Sequence, residues 1–321
     1  MDLSVIIVTY NSARHLGQCL ESVEEHFKDV AYEVCVVDNA SDDGSAAIVR
    51  AAGGRTRLVS NDRNLGFSAG VNVGLQNTTG RYCMWLNPDT RIIGGDVVEL
   101  LQYLDKEVGV GIVGPQVLNK DGSVQLSCRS FPSYSTALFN RYSLLTRLFP
   151  GNYFSRKYLH TDWDHGAVRE VDWISGACLI HRRSLLEDVG ALDEHFFMYI
   201  EDIDFCLRAH GAGWNVHYNP ALRVLHHIAG SSRQVPFSMI VELHKSIWLY
   251  YAKHFRRNPL KDAAAGAVIW GRCVGMLARA ALRQRNSDDR DVIREGVSLR
   301  SSKTPAHPQA DDVHASIEPY L

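Results

Sequence analysis

The chain has 321 residues, 45% apolar and 22% charged, with a formal net charge of −2. That is ample for one large core, or for a core with an appended segment. Its seven cysteines are scattered without a C-x-x-C pair, which excludes a disulfide framework and predicts buried, reduced thiols in a cytosolic protein.

Met1-Asp2 leads straight into an apolar run, Leu3 to Val8, so neither a signal peptide nor a transit segment is expected. The run stops at Thr9-Tyr10-Asn11-Ser12, and Ser12 is placed to cap a helix whose apolar residues are Leu16, Leu20, Val23 and Phe27. A second strand, Glu33 to Val37, ends in Asp38-Asn39, and the turn-rich stretch Ala40 to Ser45 enters another helix. Strand, helix, strand, helix at this spacing implies right-handed crossovers and a parallel sheet. A third apolar strand, Tyr82 to Trp85, ends in Leu86-Asn87-Pro88-Asp89-Thr90-Arg91.

Polar groups thus gather at three strand ends, Thr9 to Asn11, Asp38 to Ser41 and Asn87 to Asp89. The carboxyl edge is where open α/β sheets bind ligands. A hard divalent cation takes one or two carboxylates plus substrate phosphates, a role open to Asp89. The plainer alternative is an ordinary Asn-Pro-Asp turn. For Asp38 the alternatives are accepting the N–H of a uracil or thymine base, beside backbone N–H groups near Thr9, or capping the helix that follows Ser41.

The stretch from Ser127 to Arg169, rich in Tyr, Phe and Arg, is read only as an acceptor-side insertion. Further on, Glu201, Asp202 and Asp204 lie between Phe196-Phe197-Met198-Tyr199 and Phe205, and apolar surroundings raise carboxylate pKa values, which suits a general base. Asp204 and Arg208 stand at i, i+4 and are expected to pair, leaving Glu201 and Asp202 to face a site. From Lys253 to Arg285 there are eight basic residues and one acid, a net +7 against −9 elsewhere. On a helical wheel Arg272, Arg279 and Arg283 fall within about 40° of one another. This stretch is read as an interfacial anchor on anionic lipid or as a helix packed on the catalytic domain, and as too interrupted to span a bilayer. The polar residues after 285 predict a disordered tail.

Four segments together carry a resemblance: Val8-Thr9-Tyr10-Asn11; Val37-Asp38-Asn39-Ala40-Ser41-Asp42 with Gly44-Ser45; Asn64-Leu65-Gly66-Phe67 with Ala69-Gly70 and Asn72; and Leu86-Asn87-Pro88-Asp89. In that order they resemble the inverting glycosyltransferases of family two, most of all the rhamnosyltransferase branch, from residue 2 to about residue 255. The resemblance implies a GT-A fold, a nucleotide-diphosphosugar donor and a divalent metal, Mg2+ or Mn2+. It implies that Thr9, Tyr10, Asn11, Asp38 and Asn39 contact base and ribose, and that Asn64, Gly66 and Asn72 line the nucleotide. The plain alternative for the last loop is a helix start with Gly70 packed on a strand.

Where much of this fold carries D-x-D, the chain has Asn87-Pro88-Asp89, so Asp89 is the implied metal carboxylate and Asn87 is left to touch the donor sugar or phosphate. The family places a histidine ligand after the last strand, a position His226 fits better than His227. Asp202 corresponds to the base and Glu201 to a neighbour that orients the acceptor. Trp173, Gly176 and Ala177 border donor sugar and acceptor, with plain core as the other reading of Trp173.

The expectation is therefore an α/β chain with a GT-A type, Rossmann-like, mostly parallel sheet. A catalytic domain spans 1–250 (nucleotide half 1–120, acceptor half 121–250), followed by a basic helical extension at 251–285 and a tail at 286–321. It would move a sugar, L-rhamnose from dTDP-L-rhamnose, onto a glycan or polyprenyl-diphosphate-linked saccharide. It would work in the cytoplasm or peripherally on the cytoplasmic face of the inner membrane, with a homo-oligomer left open. The alternatives are a UDP-hexose or UDP-N-acetylhexosamine donor, or a non-catalytic nucleotide- or carbohydrate-binding module. A nicotinamide enzyme is disfavoured, since no G-x-G-x-x-G follows the first strand. Nucleic acid is disfavoured because lipid explains the basic segment more simply.

Overall fold

The computed structural model describes residues 1–132, 153–227 and 237–298. Residues 133–152 of the expected acceptor-side insertion, the segment Ile228 to Ser231 and the chain beyond 298 lie outside the described residues. Two compact units divide at residue 228, and the helix Phe237–His254 lies in the second.

The first unit is built on a sheet of strands β1 (Leu3–Thr9), β2 (Tyr32–Asp38), β3 (Thr56–Ser60), β4 (Tyr82–Leu86), β5 (Thr90–Gly95), β6 (Val110–Leu118), β8 (Arg169–Glu170), β10 (Cys178–Arg182) and β11 (Asn215–His226). Its order is β3-β2-β1-β4-β10-β6-β11-β5, with β8 paired to β11. Strands β3, β2, β1 and β4 run parallel, and β10 is antiparallel to both β4 and β6. The remaining described strands, β7 (Cys128–Arg129) and β9 (Trp173–Ile174), form a small antiparallel pair. Parallel strands are covered on both faces, so β1 and β4 are buried along their whole length. Each fully buried Leu, Ile or Val there contributes about 1.5–3 kcal/mol.

Register decides the geography of the site. Thr9 pairs with Asp38, so the polar ends of β1 and β2 lie side by side. Between β1 and the solvent side sits the helix Phe67–Gln76, drawn in by two glycines. A Cβ on Gly70 would come 2.6 Å from Val8 Cγ1, and one on Gly74 would come 2.4 Å from Ile6 Cγ2. All seven cysteines are free and buried, and burial pushes the Cys19 thiol up to about 12, so these thiols are inert packing groups.

Ser12 does not cap the helix Ala13–His26 with its side chain. Its hydroxyl donates to the Tyr10 carbonyl at 3.3 Å, while Asp43 Oδ2 accepts the Ala13 N–H at 2.8 Å from the neighbouring loop. A carboxylate complements a helix N-terminus better than a hydroxyl does, and the fold delivers one from thirty residues away.

In the second unit Phe237–His254 packs against Pro259–Ser298. Tyr251 Oη donates to Asp262 at 2.8 Å, and Gly266 lies against the Trp248 ring. The second helix continues past Arg285 to Ser298, where a tail was expected. Polar composition alone does not end a helix once it is nucleated, and no proline intervenes. Pro259–Leu282 is long and apolar enough, by length and composition alone, to cross a membrane, although its arginines made it look too interrupted to span. Leu260, Val268, Val274 and Leu282 are exposed on it, Arg279 is exposed and Arg272 is half-buried.

Candidate active site

At the carboxyl ends of β1 and β2 the polar groups are held by one another. Asn39 donates its backbone N–H to the Thr9 carbonyl at 2.9 Å. Its side-chain amide donates to the Gly66 carbonyl at 3.0 Å and accepts from Asn61 at 2.8 Å. Asn64 in turn accepts the Gly66 N–H at 2.9 Å, so β2 and the Asn64–Gly66 loop form one polar rim. Asp38 is buried, and its carboxylate accepts the Ser41 hydroxyl at 2.5 Å and the Ser41 N–H at 3.3 Å. The local turn role considered for Asp38 is thus realised, although through Ser41 rather than at the following helix. Ser41 also accepts the Asn11 N–H at 2.9 Å, so Asp38, Ser41 and Asn11 form a relay. Asn11 and Ala40 both adopt left-handed backbone there. Tyr10 is half-buried beside them.

Two expected residues have other duties. Asn72 spends its amide on Leu192 and Glu194 rather than facing the nucleotide loop. Trp173 is 2% exposed, its indole N–H donates to the Ser130 carbonyl at 2.9 Å, and the Arg129 guanidinium lies over its ring. Its face is covered by protein and so cannot serve as a sugar platform. The plain-core reading holds because β9 pairs with β7 and buries that ring.

The side on which Asp89 and His226 were expected to hold a metal is assembled from β4, β5 and β11. Asp89 Oδ1 lies 3.3 Å from His226 Nε2, with both side chains buried. His226 Nδ1 meets Gln125 Oε1 at 3.2 Å, which fixes the ring with Nε2 facing Asp89. The Asp89 carbonyl accepts the His227 N–H at 2.9 Å, and the His227 ring stacks on His15. Burial, then Lys120 and His15, depress the His227 pKa. Among the described residues no group of three or more His, Cys, Asp or Glu side chains is gathered for a metal. One carboxylate and one oriented imidazole nevertheless fit a cation that completes its shell with diphosphate oxygens and water.

A short chain of contacts joins this side to the acid pair. Asn87 donates its N–H to the Ala177 carbonyl at 3.0 Å, and the next residue back, Gly176, donates its N–H to Asp202 Oδ2 at 2.9 Å. A Cβ on Gly176 would stand 3.6 Å from the Phe67 ring and 3.7 Å from Asp202 Cβ, in ordinary van der Waals contact with both. Asp202 and Glu201 begin the helix Glu201–Gly211, whose amino end favours negative charge. Burial first, and the Asp202 charge second, raise the Glu201 pKa well above its ordinary value. Glu201 Oε2 has no hydrogen-bond partner among the described residues. The pairing expected of Asp204 is present, at 2.8 Å to Arg208 Nε.

Tyr199 and Ile200, just before the pair, both have positive φ, 69° and 73°. Such conformations cost about 1–3 kcal/mol each and persist only where the surroundings over-determine them. Gly66 is part of that constraint. Phe67 N–H donates to the Phe197 carbonyl at 2.7 Å, and a Cβ on Gly66 would stand 2.3 Å from that oxygen. Gln125, Phe67 and Phe197 were given no site role from the sequence, and Ser41 was only grouped with the polar end of β2. Only Ser41, three residues after Asp38, carries a local signal, that of an Asx-type turn.

Hydrogen bonds thus join the Asn87–Asp89 turn to Asp202 through Ala177 and Gly176, and Asn39, next to Asp38, to the Asn64–Gly66 loop. Known proteins sharpen what the site belongs to. The model of Glycosyl transferase family 2 matches residues 4–172. The chain is 32% identical over 282 residues to N-acetylglucosaminyl-diphospho-decaprenol L-rhamnosyltransferase of Mycobacterium tuberculosis (strain ATCC 25618 / H37Rv), covering 83% of this chain and 90% of that protein. It is 25% identical to Rhamnosyltransferase WbbL of Escherichia coli (strain K12), over 78% of this chain and 92% of that one. Mannosyltransferase PcManGT from Pyrobaculum calidifontis, solved with GDP-Man and Mn2+, superposes with a TM-score of 0.54 at 18% identity, over 94% of this chain and 81% of that one, and shares the GT-A fold. With that fold, that family match and those relatives, the chain belongs to glycosyl transferase family 2 and is a glycosyltransferase.

Proposed function

We propose that the enzyme transfers L-rhamnose from dTDP-L-rhamnose, with inversion, to a polyprenyl-diphosphate-linked saccharide. The observation that carries the reading is the short path from Asp89 through Asn87, Ala177 and Gly176 to Asp202. It connects a candidate phosphate-side acid to a candidate base through two hydrogen bonds, which supports reading both as parts of one site. Relatives named as rhamnosyltransferases, one of them for a diphospho-decaprenol acceptor, support the choice of donor and acceptor.

In this reading Thr9, Tyr10, Asn11, Asp38, Asn39, Asn64 and Gly66 hold the nucleotide, and Asn87, Gly176 and Ala177 border the sugar. Asp202 takes the proton from the acceptor hydroxyl while that oxygen attacks the anomeric carbon. Glu201, whose carboxyl pKa is raised by burial, orients the acceptor. Asp89 and His226 would hold Mg2+ or Mn2+, which when bound offsets the negative charge of the departing diphosphate. The exposed apolar positions of Pro259–Leu282 and the basic residues around them support peripheral placement on an anionic cytoplasmic membrane surface, where such an acceptor resides.

Nucleotide release measured over a panel of dTDP-L-rhamnose, UDP-hexoses and UDP-N-acetylhexosamines, with a lipid-linked acceptor and Mn2+, tests this. Release from dTDP-L-rhamnose is expected, and Asp202→Asn should lower it by about 100- to 10,000-fold. Release from a UDP donor alone would transfer the reading to that donor. No release from any donor, with nucleotide still bound, would favour a binding module.

A further inference from the structure

The helix Phe67–Gln76 holds two parts of the enzyme at once. Gly70 and Gly74 share the face that lies on β1, against Val8 and Ile6. Asn72 projects from the opposite face, as its spacing from both glycines requires. Its amide donates to the Leu192 carbonyl and to the Glu194 carboxylate, each at 2.9 Å, and accepts the Leu192 N–H at 3.0 Å. Both of its N–H donors are therefore taken, and the residue is 6% exposed. It has no donor left to offer a nucleotide.

The first turn of the same helix adds the Phe67 N–H to Phe197 carbonyl bond. Both fastenings come just before Tyr199 and Ile200, the left-handed pair that turns the chain into Glu201 and Asp202. Asp202 is met from the other side by the Gly176 N–H. A turn of this kind does not hold its direction unaided, so where it delivers Asp202 depends on where residues 192–197 are pinned.

We propose that Asn72 is a positioning residue for the general base: by clamping Leu192 and Glu194 it fixes the segment that aims Asp202, and it does not contact the donor nucleotide. The inference rests on the reading of Asp202 as the base. It reassigns Asn72 from donor binding to the geometry of proton transfer.

Asn72→Ala, Asn72→Asp and Glu194→Ala in the full chain provide the test, read by calorimetric dTDP and UDP affinity, by kcat and KM, and by the pH–rate profile. For Asn72→Ala the nucleotide Kd should stay within about threefold while kcat falls about 100-fold, the scale of a misplacement near 1 Å. The acid limb of the pH–rate profile should shift, because the base loses its fixed surroundings. Glu194→Ala, at an exposed position, should give a smaller kcat loss with nucleotide affinity retained, which keeps the test alive if Asn72→Ala does not fold. Combining Asn72→Asp with Glu194→Gln reverses one hydrogen bond and should recover part of the kcat lost in Asn72→Asp alone.

Weakened nucleotide binding with kcat intact would overturn the inference and return Asn72 to the nucleotide site. A lowered Tm with unchanged kcat and pH profile would overturn it in favour of a purely structural role. Asp202→Asn separates the two levels. If it still turns over, the reading of the base has failed. If it is inactive while the Asn72 and Glu194 variants turn over normally, only the present inference has.

Discussion

The two edges of the one sheet solve opposite problems. At the amino edge of the parallel strands Ser4, Glu33, Gly80 and Arg183 form a closed network. Ser4 donates to Glu33 at 2.9 Å and accepts the Gly80 N–H at 2.7 Å, and Glu33 also accepts the Thr79 N–H at 2.7 Å. Arg183 spreads its guanidinium over the Gly80 and Leu75 carbonyls and the Thr78 hydroxyl. Burial alone would raise the Glu33 pKa, but the bonds from Thr79, Ser4 and Gly80 outweigh it and hold the carboxyl below its ordinary value. At the carboxyl edge Thr9 Oγ1, Ser68 Oγ and Glu201 Oε2 are buried without a hydrogen-bond partner among the described residues. Asn11, Ala40, Tyr199 and Ile200, with their left-handed backbone, also lie there. One edge spends its polar groups on stability. The other, beside its bonded groups, holds left-handed backbone and buried polar atoms that no described residue satisfies.

Substitutions can break or sharpen that contrast. Arg183→Ala should have the largest effect on stability, about 3 kcal/mol, because it leaves several amino-edge acceptors without their charged donor. Activity per folded molecule should be unchanged. Urea unfolding alongside active-site titration checks both halves, and a loss of kcat without a loss of stability would erase the distinction between the edges.

Glu201→Gln probes the opposite edge. The folded pKa of Glu201 lies above its ordinary 4.5, so between those two values the folded chain binds more protons than the unfolded one. Stability then falls as pH rises through that window. The glutamine variant removes this loss: it should match the parent near about pH 4 and exceed it near about pH 8 in equilibrium unfolding. Parallel curves for the two proteins would mean that no strained carboxyl is held there. The smallest effect is expected at Ala40, exposed with φ 62°, where Ala40→Gly should stabilise by about 0.5–1 kcal/mol by relieving left-handed strain. No gain in thermal unfolding would argue against strain at that turn.

Much of the site could be read from residues in a row. The apolar runs that end in Thr9, Asp38 and Leu86 are the strands β1, β2 and β4, and the i, i+4 spacing of Asp204 and Arg208 does produce an ion pair. Gly70 packs on β1, one of the two readings open to it. What escaped was set by contacts between distant segments. Asp43 displaced Ser12 as the cap because a loop thirty residues later comes to rest on that helix. Trp173 vanished into the β7–β9 pair, which no local pattern announces. Asn72 carries the same motif position whether it faces a nucleotide or Leu192, more than a hundred residues onward, and only packing distinguishes the two.

The amino-acid order by itself settled the alternation of strands and helices, the acids at the strand ends and the family, because periodicity and short motifs are local properties of a chain. Tertiary structure alone decided which polar atoms are already engaged and which remain for a substrate. A hydrogen-bond partner is chosen by proximity in space, and proximity in space is what folding creates.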